Sequence, residues 1–119
     1  MKKLELKENL KKYTYMEACP VRNVVSRFSG KWSMLVLCIL AENEATRFNA
    51  IAKAIPDISP KVLTETLKNL ERDNLVRREI FAEIPPRVEY SLTDLGKSLM
   101  PHIEGLLGWA IENFEAIAR

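Results

Sequence analysis

Residues 58–93, ISPKVLTETLKNLERDNLVRREIFAEIPPRVEYSLT, join a helix to a hairpin with no linker between them, and this succession decides the fold. Ser59 is placed to cap the helix by accepting a backbone N–H two or three residues on. Pro60 suits the first turn, where its missing donor would be unpaired in any case. At about 100° per residue, Leu63, Leu67 and Leu70 share a narrow arc, while Lys61, Glu65, Lys68 and Arg72 lie opposite, flanked by Thr64 and Asn69. One face is built to pack and the other is free to touch something. Asn74 suits the left-handed residue that ends a helix. Segments 75–81 and 87–92 then lean towards β: Val88, Tyr90 and Leu92 alternate with Arg87, Glu89 and Ser91, which predicts one buried and one wet face. Pro85 and Pro86 in the tip cannot donate ladder hydrogen bonds, so they stiffen a protruding loop.

Upstream, a helix over 47–55 carries Phe48, Ile51, Ala52 and Ile55 on one side and is closed by Pro56 and Asp57. With the helix at 59–73 it makes a helix-turn-helix, and the hairpin turns that into a winged helix. Earlier still, Cys19-Pro20 begins a helix running to about Phe28, with Val21, Val24, Val25 and Phe28 at helical spacing and Gly30 as its break. From Lys31 a second helix follows, buried on most sides, in which Trp32, Leu35, Val36, Ile39 and Leu40 keep the helical period through the apolar run 34–40. Residues 1–17 are charged with scattered apolar side chains and read equally as a docked arm or a frayed tail; 18–119 form one domain.

Downstream, Thr93 can cap a last helical region, which Pro101 should kink or restart. Its apolar positions run from Leu95, Leu99 and Ile103 through Leu106, Leu107, Ala110 and Ile111 to Phe114 and Ile117, with Trp109 among them. That surface is wider than a small domain consumes, and the surplus calls for a partner helix, most simply a second copy meeting it at Leu106, Trp109, Ala110 and Phe114.

With 119 residues, 47% of them hydrophobic, the chain can bury a core without staples. A net charge of +2 is too small to identify a nucleic-acid binder by itself, so the distribution has to speak: basic residues lead the chain and acidic ones trail it. No apolar run reaches membrane-spanning length and no secretory signal is visible, so a cytoplasmic protein with no membrane partner is expected. Cys19, Cys38 and the single histidine, His102, reproduce no zinc-ligand spacing and supply no disulfide framework. No metal or cofactor is expected, and both thiols should be reduced at rest. Nucleophile–base pairs and phosphate-cradling glycine loops are also missing, which argues against an enzyme.

Taken in order, Cys19-Pro20-Val21, Gly30-Lys31-Trp32, Arg47-Phe48, residues 58–64, residues 70–76 and residues 85–93 resemble the HxlR family of bacterial transcriptional regulators, relatives of the MarR regulators. The likeness runs from about Cys19 to Trp109. It implies a homodimeric winged-helix protein that binds double-stranded DNA, usually as a repressor and sometimes as an activator. Two departures stand out. Asn74 occupies a position where the family has glycine, a tolerable exchange because asparagine also visits positive φ. Ala50 and Ile51 replace a commoner Glu-Leu pair.

In this reading the helix bearing Ser59, Lys61, Thr64, Glu65, Lys68 and Asn69 enters the major groove, where Thr and Asn address base edges and lysine reaches phosphate or guanine. The plainer account is a solvated face with Glu65 paired to Lys61 and Lys68, worth tenths of a kcal/mol. Arg77, Arg78 and Arg87 flank the wing, with Arg87 the best placed for phosphate or the minor groove and Arg78 the weakest, since pairing with Glu79, Glu83 or Glu89 would occupy it. Lys31 and Arg47, near helix starts, are further phosphate candidates. Cys19, before Pro20 at a helix N-terminus, is where a thiolate is favoured. The resemblance implies that such a cysteine can sense an oxidant or electrophile, although a small packing cysteine is common; Cys38 reads as core. Trp32 and Trp109 are read as packing residues, and His102 has no assigned role. The rival to a DNA-binding regulator is a winged-helix module that docks proteins through its wing and apolar C-terminal region.

Overall fold

The computed structural model describes residues 2–13 and 19–118, and the chain divides into two compact units after Gly30. In the first unit α1 spans Lys3–Tyr13, so the leading arm is helical over that stretch. The segment beginning at Cys19 is shorter than its apolar spacing implies: one π-helical turn, Val21–Val25, leads into turn hydrogen bonds up to Ser29. Its start has no side-chain cap, and Val21, Val24 and Val25 are all exposed, so neither a cap nor a buried face extends the helix.

The second unit contains α2 (Ser33–Ala41), β1 (Thr46–Arg47), α3 (Phe48–Ala54), α4 (Pro60–Arg72), β2 (Val76–Phe81), β3 (Arg87–Leu92), α5 (Asp94–Glu112) and α6 (Phe114–Ile117). It is mostly helical with one small antiparallel sheet in the order β1-β3-β2, the winged-helix arrangement that the helix–hairpin stretch predicts. β1, only two residues long, gives no readable alternation in sequence; it pairs Thr46 with Tyr90 and Arg47 with Glu89.

The core lies where α2 packs against α3, α4, α5 and β3. Val36, Leu37 and Leu40 of α2 meet Ile51, Leu63, Leu67, Leu70, Met100 and Ile103 in the buried set. α2 is less enclosed than its continuous apolar run suggests, since Leu35 is exposed and Cys38 only half-buried. The hairpin departs from expectation in the same direction. Val76 and Leu92, paired at its base, are buried, whereas Val88 and Tyr90 are only half-buried. The ribbon runs out beyond the helices, so burial is complete only at its first rung.

Turn chemistry fixes how these parts join. α4 ends with Asn74 at φ 61°, while the Leu75 N–H reaches the Leu70 carbonyl at 3.0 Å and the Asn74 N–H reaches the Glu71 carbonyl at 3.0 Å. This is a Schellman-type end that only a residue tolerant of positive φ completes well. Thr93 ties the wing base to α5: its hydroxyl donates to the Asn74 carbonyl at 2.7 Å and accepts the Gly96 N–H at 3.0 Å. Gly96 itself lies so close beneath Leu75 that a Cβ there would overlap the Leu75 carbonyl oxygen. α5 runs through Pro101 without restarting.

Candidate nucleic-acid interface

Three devices hold α4 at the surface. The Ser59 Oγ accepts the Val62 N–H at 3.1 Å, Leu63, Leu67 and Leu70 anchor the inner face, and the helix end is locked by Asn74. Lys61, Glu65, Lys68 and Asn69 project outwards and are exposed. Among the described residues none of the four has a side-chain ion pair or hydrogen bond, so the local Glu65–lysine pairing does not form and the face is open. Thr64 is half-buried and its hydroxyl donates to the Pro60 carbonyl at 2.8 Å, which leaves that oxygen as an acceptor for an incoming donor.

Beside α4 the wing forms the second wall of a cleft of about 300 Å³ lined by Thr64, Lys68, Glu71, Arg78 and Tyr90. The register explains who is there. Val76, Arg78 and Ile80 share one side of β2, and Val76 is buried at the wing base, so the exposed Arg78, opposite Tyr90, follows on that side. Arg77 points the other way, into a groove of about 590 Å³ that it lines with Ser91, Lys97, Glu42, Glu44 and Glu104. Neither Arg77 nor Arg78 is in an ion pair among the described residues.

Arg87 sits differently from both. It is half-buried, 3.4 Å from Glu83 and 3.2 Å from Glu89, and its guanidinium lies over the Phe81 ring at 4.1 Å. Glu79 stands directly opposite Glu89, so the outer wing is more acidic than basic. The pairing that sequence reasoning assigns to Arg78 is found at Arg87, and Arg78 is the arginine placed beside Thr64 and Lys68. Two-residue alternation from buried Val76 is the signal that could have found it.

The remaining candidates are dispersed. Lys31 is exposed with its Nζ 4.7 Å from the Trp32 ring centroid, and exposed Arg47 holds the N-cap position of α3 without a capping side-chain bond. Cys19 is free and only 3% exposed. The Arg22 backbone N–H, with that of Val21 and the Arg22 side chain, holds its thiol below the ordinary range, outweighing the upward push of burial. Cys38 moves the other way: burial raises it, and the nearby Glu104 and Glu42 carboxylates add to the rise. Of the dimerisation candidates, Leu106, Trp109 and Phe114 are 59%, 57% and 56% exposed, and Ala110 is exposed beside them. Among the described residues no cluster of metal-binding side chains occurs, and no helix is long and apolar enough to cross a membrane.

A capped helix with an open polar face, joined to α3 as a helix-turn-helix and flanked by a β-ribbon, defines the winged-helix class. Residues 27–118 match the HxlR-like helix-turn-helix family, and the chain belongs to that family. It is 45% identical over 91 residues to an HTH-type transcriptional regulator of Methanothermobacter thermautotrophicus, covering 76% of this chain and 69% of that one. Its fold is similar to that of the redox regulator HypR in its oxidised form, with a TM-score of 0.75 at 35% identity over 80% of this chain and 97% of that one. It is also similar to diamide-treated YodB from Bacillus subtilis, with a TM-score of 0.69 at 32% identity over 82% of this chain and 96% of that one.

Proposed function

We propose that the protein is a homodimeric repressor that binds an inverted-repeat operator, with residues 18–119 serving as its DNA-binding and dimerisation domain. The observation that carries this is the unpaired polar face of α4, Lys61, Glu65, Lys68 and Asn69, continued across a cleft by Arg78. α4 enters the major groove. Thr64 and Asn69 meet base edges, and Lys61, Lys68 and Arg78 meet phosphate or guanine. Ser59 positions the helix through its cap, Arg77, Lys31 and Arg47 supply peripheral positive charge, and Arg87 braces the wing. The exposed Leu106, Trp109, Ala110 and Phe114 pack on a second copy, which sets two recognition helices about one helical turn of DNA apart, roughly 10 bp between half-site centres. Repression follows from excluding polymerase.

The same reading gives Cys19 the signal. Backbone N–H groups favour its thiolate, the form that attacks oxidants and electrophiles, and the similar HypR and YodB structures are described as a redox regulator and as a diamide-treated protein. Because the Cys19 thiol is lowered and the Cys38 thiol raised, alkylation should switch on at lower pH for Cys19 than for Cys38, as mapped by mass spectrometry of singly labelled chains.

One experiment tests the whole. Bound fragments are selected from genomic DNA with reduced and with diamide-treated protein, then repeated with Cys19→Ser. A palindromic consensus bound by the reduced form, weakened by diamide and insensitive to diamide in the serine variant, is expected. Fragments without a shared sequence would remove the operator reading, and a diamide response that persists in Cys19→Ser would remove the switch.

A further inference from the structure

The positive charge of this chain is concentrated in one place. Positions 2–12 hold five of the eighteen lysines and arginines and two of the sixteen carboxylates, which leaves thirteen basic against fourteen acidic side chains in all the rest. A domain that grips a polyanion thus has no net positive charge of its own, and its wing ends in Glu79, Glu83 and Glu89. All of the excess but Lys2 resides on α1, which precedes the family-matched residues 27–118.

Within α1 the charge is ordered. Lys3, Lys7 and Lys11 recur every fourth residue, a row that turns about 40° per step and rises about 6 Å between members, roughly 12 Å end to end. All three are exposed and none is in an ion pair among the described residues. Glu5 lies about 160° around the helix from the centre of that row, and Glu8, three residues before Lys11, is the one carboxylate beside it but forms no ion pair with it among the described residues, so the row keeps a net positive charge. Duplex DNA presents one phosphate per about 3.4 Å along each strand, so three lysines on flexible stems spread over such a length can each find one.

We infer that α1 is a second, sequence-independent nucleic-acid contact, in which Lys3, Lys7 and Lys11 neutralise backbone phosphates of duplex DNA. This rests on the DNA-binding reading above. Charge complementarity selects the occupant: two exposed leucines beside the row, Leu6 and Leu10, give little apolar surface for a lipid bilayer, whereas a polyanion needs only the lysines. The work is divided, with α4 discriminating and α1 holding. The matched domain, with its slight negative balance, relies on α1 for non-specific affinity.

The test is the salt dependence of binding by the full chain, followed by fluorescence anisotropy on the selected operator and on a scrambled duplex. Each phosphate contact contributes about 0.9 to the slope of log K against log salt concentration, so K3Q/K7Q/K11Q is expected to lower that slope by about 2.7 per protomer on both duplexes. The operator-to-scrambled ratio should stay unchanged, and K3R/K7R/K11R should retain the full slope. An unchanged slope in the glutamine variant overturns the proposal, as does loss of slope in the arginine variant, which would mark a packing role for the lysines. Lysine-dependent capture by anionic phosphatidylglycerol vesicles with no change on DNA would assign α1 to a membrane surface and overturn it too. Failure of the DNA reading looks different: the unmodified chain would then show no preference for the selected operator at any salt concentration.

Discussion

α4 and the distal half of α5 are both amphipathic helices at the surface of one small domain, yet they leave opposite faces open. In α4 every leucine of the inner arc is buried, and the exposed face is mostly polar, with Lys61, Glu65, Lys68 and Asn69 unpaired among the described residues. In α5 burial stops after Met100 and Ile103, and Leu106, Trp109 and Ile111 are left exposed, followed by Phe114 and Ile117 of α6. The first helix has spent its apolar surface on its own fold and presents chemistry; the second presents apolar surface that the isolated chain does not use. A free polar face and a free apolar face suit different partners, in the function proposed above a duplex and a second copy.

The comparison is broken most severely from inside α4. Leu67 is buried between α4 and the rest of the core, and Leu67→Ala should destabilise the domain by about 3 kcal/mol, read as a lowered urea midpoint at unchanged slope. A loss under about 1 kcal/mol would mean that the inner face of α4 is not the anchor described. Trp109→Glu attacks the other helix and should act on association. If Trp109 is the centre of a dimer contact, self-association should weaken by roughly 30-fold or more by analytical ultracentrifugation, while the denaturant midpoint of the diluted monomer barely moves. A variant that stays fully dimeric would show that this apolar face is not where two copies meet.

How much of this contrast could be read in advance depended on how local the cause was. α4 was legible because its signals are short-range and concordant: Ser59 and Pro60 at one end, Asn74 at the other and three leucines on one arc between them. The surplus apolar surface near Trp109 was legible too, since it follows from counting positions. Residues 21–28 misled because valines at helical spacing look the same whether or not anything covers them. β1 was invisible because two residues carry no alternation. Which arginine is ion-paired was not legible, for a non-local reason: meeting a carboxylate depends on cross-strand register and on how the tip folds Glu83 back beside Arg87, and neither is a property of the arginine's neighbours in sequence.

A smaller effect sharpens the account of how α4 is held. Ser59→Ala removes the oxygen that accepts the Val62 N–H, and a lost cap of this kind destabilises by about 1 kcal/mol. Ser59→Asp restores an acceptor and adds a charge favourable to the helix dipole, so stability should return while DNA affinity falls through repulsion from phosphate. If alanine and aspartate weakened binding equally with no change in stability, Ser59 would be a direct contact and not a positioning residue.

The smallest effects decide where the open polar surface ends. Arg78 lies across the cleft from Thr64 and Lys68 with no carboxylate attached, so Arg78→Ala should lower the salt slope of binding by about 0.9 per protomer and weaken affinity at moderate salt by less than tenfold. Arg87 already faces Glu83 and Glu89, and in Arg87→Ala the wing loses two half-exposed ion pairs worth a few tenths of a kcal/mol together with the stacking on Phe81. Its salt slope should be unchanged, because a guanidinium held between two carboxylates displaces no counterion from DNA. The opposite result, a reduced slope in Arg87→Ala and none in Arg78→Ala, would mean that the Glu83 and Glu89 pairs open on binding and that the polar surface of α4 reaches the wing tip; equal reductions would make the two walls of the cleft a single contact surface.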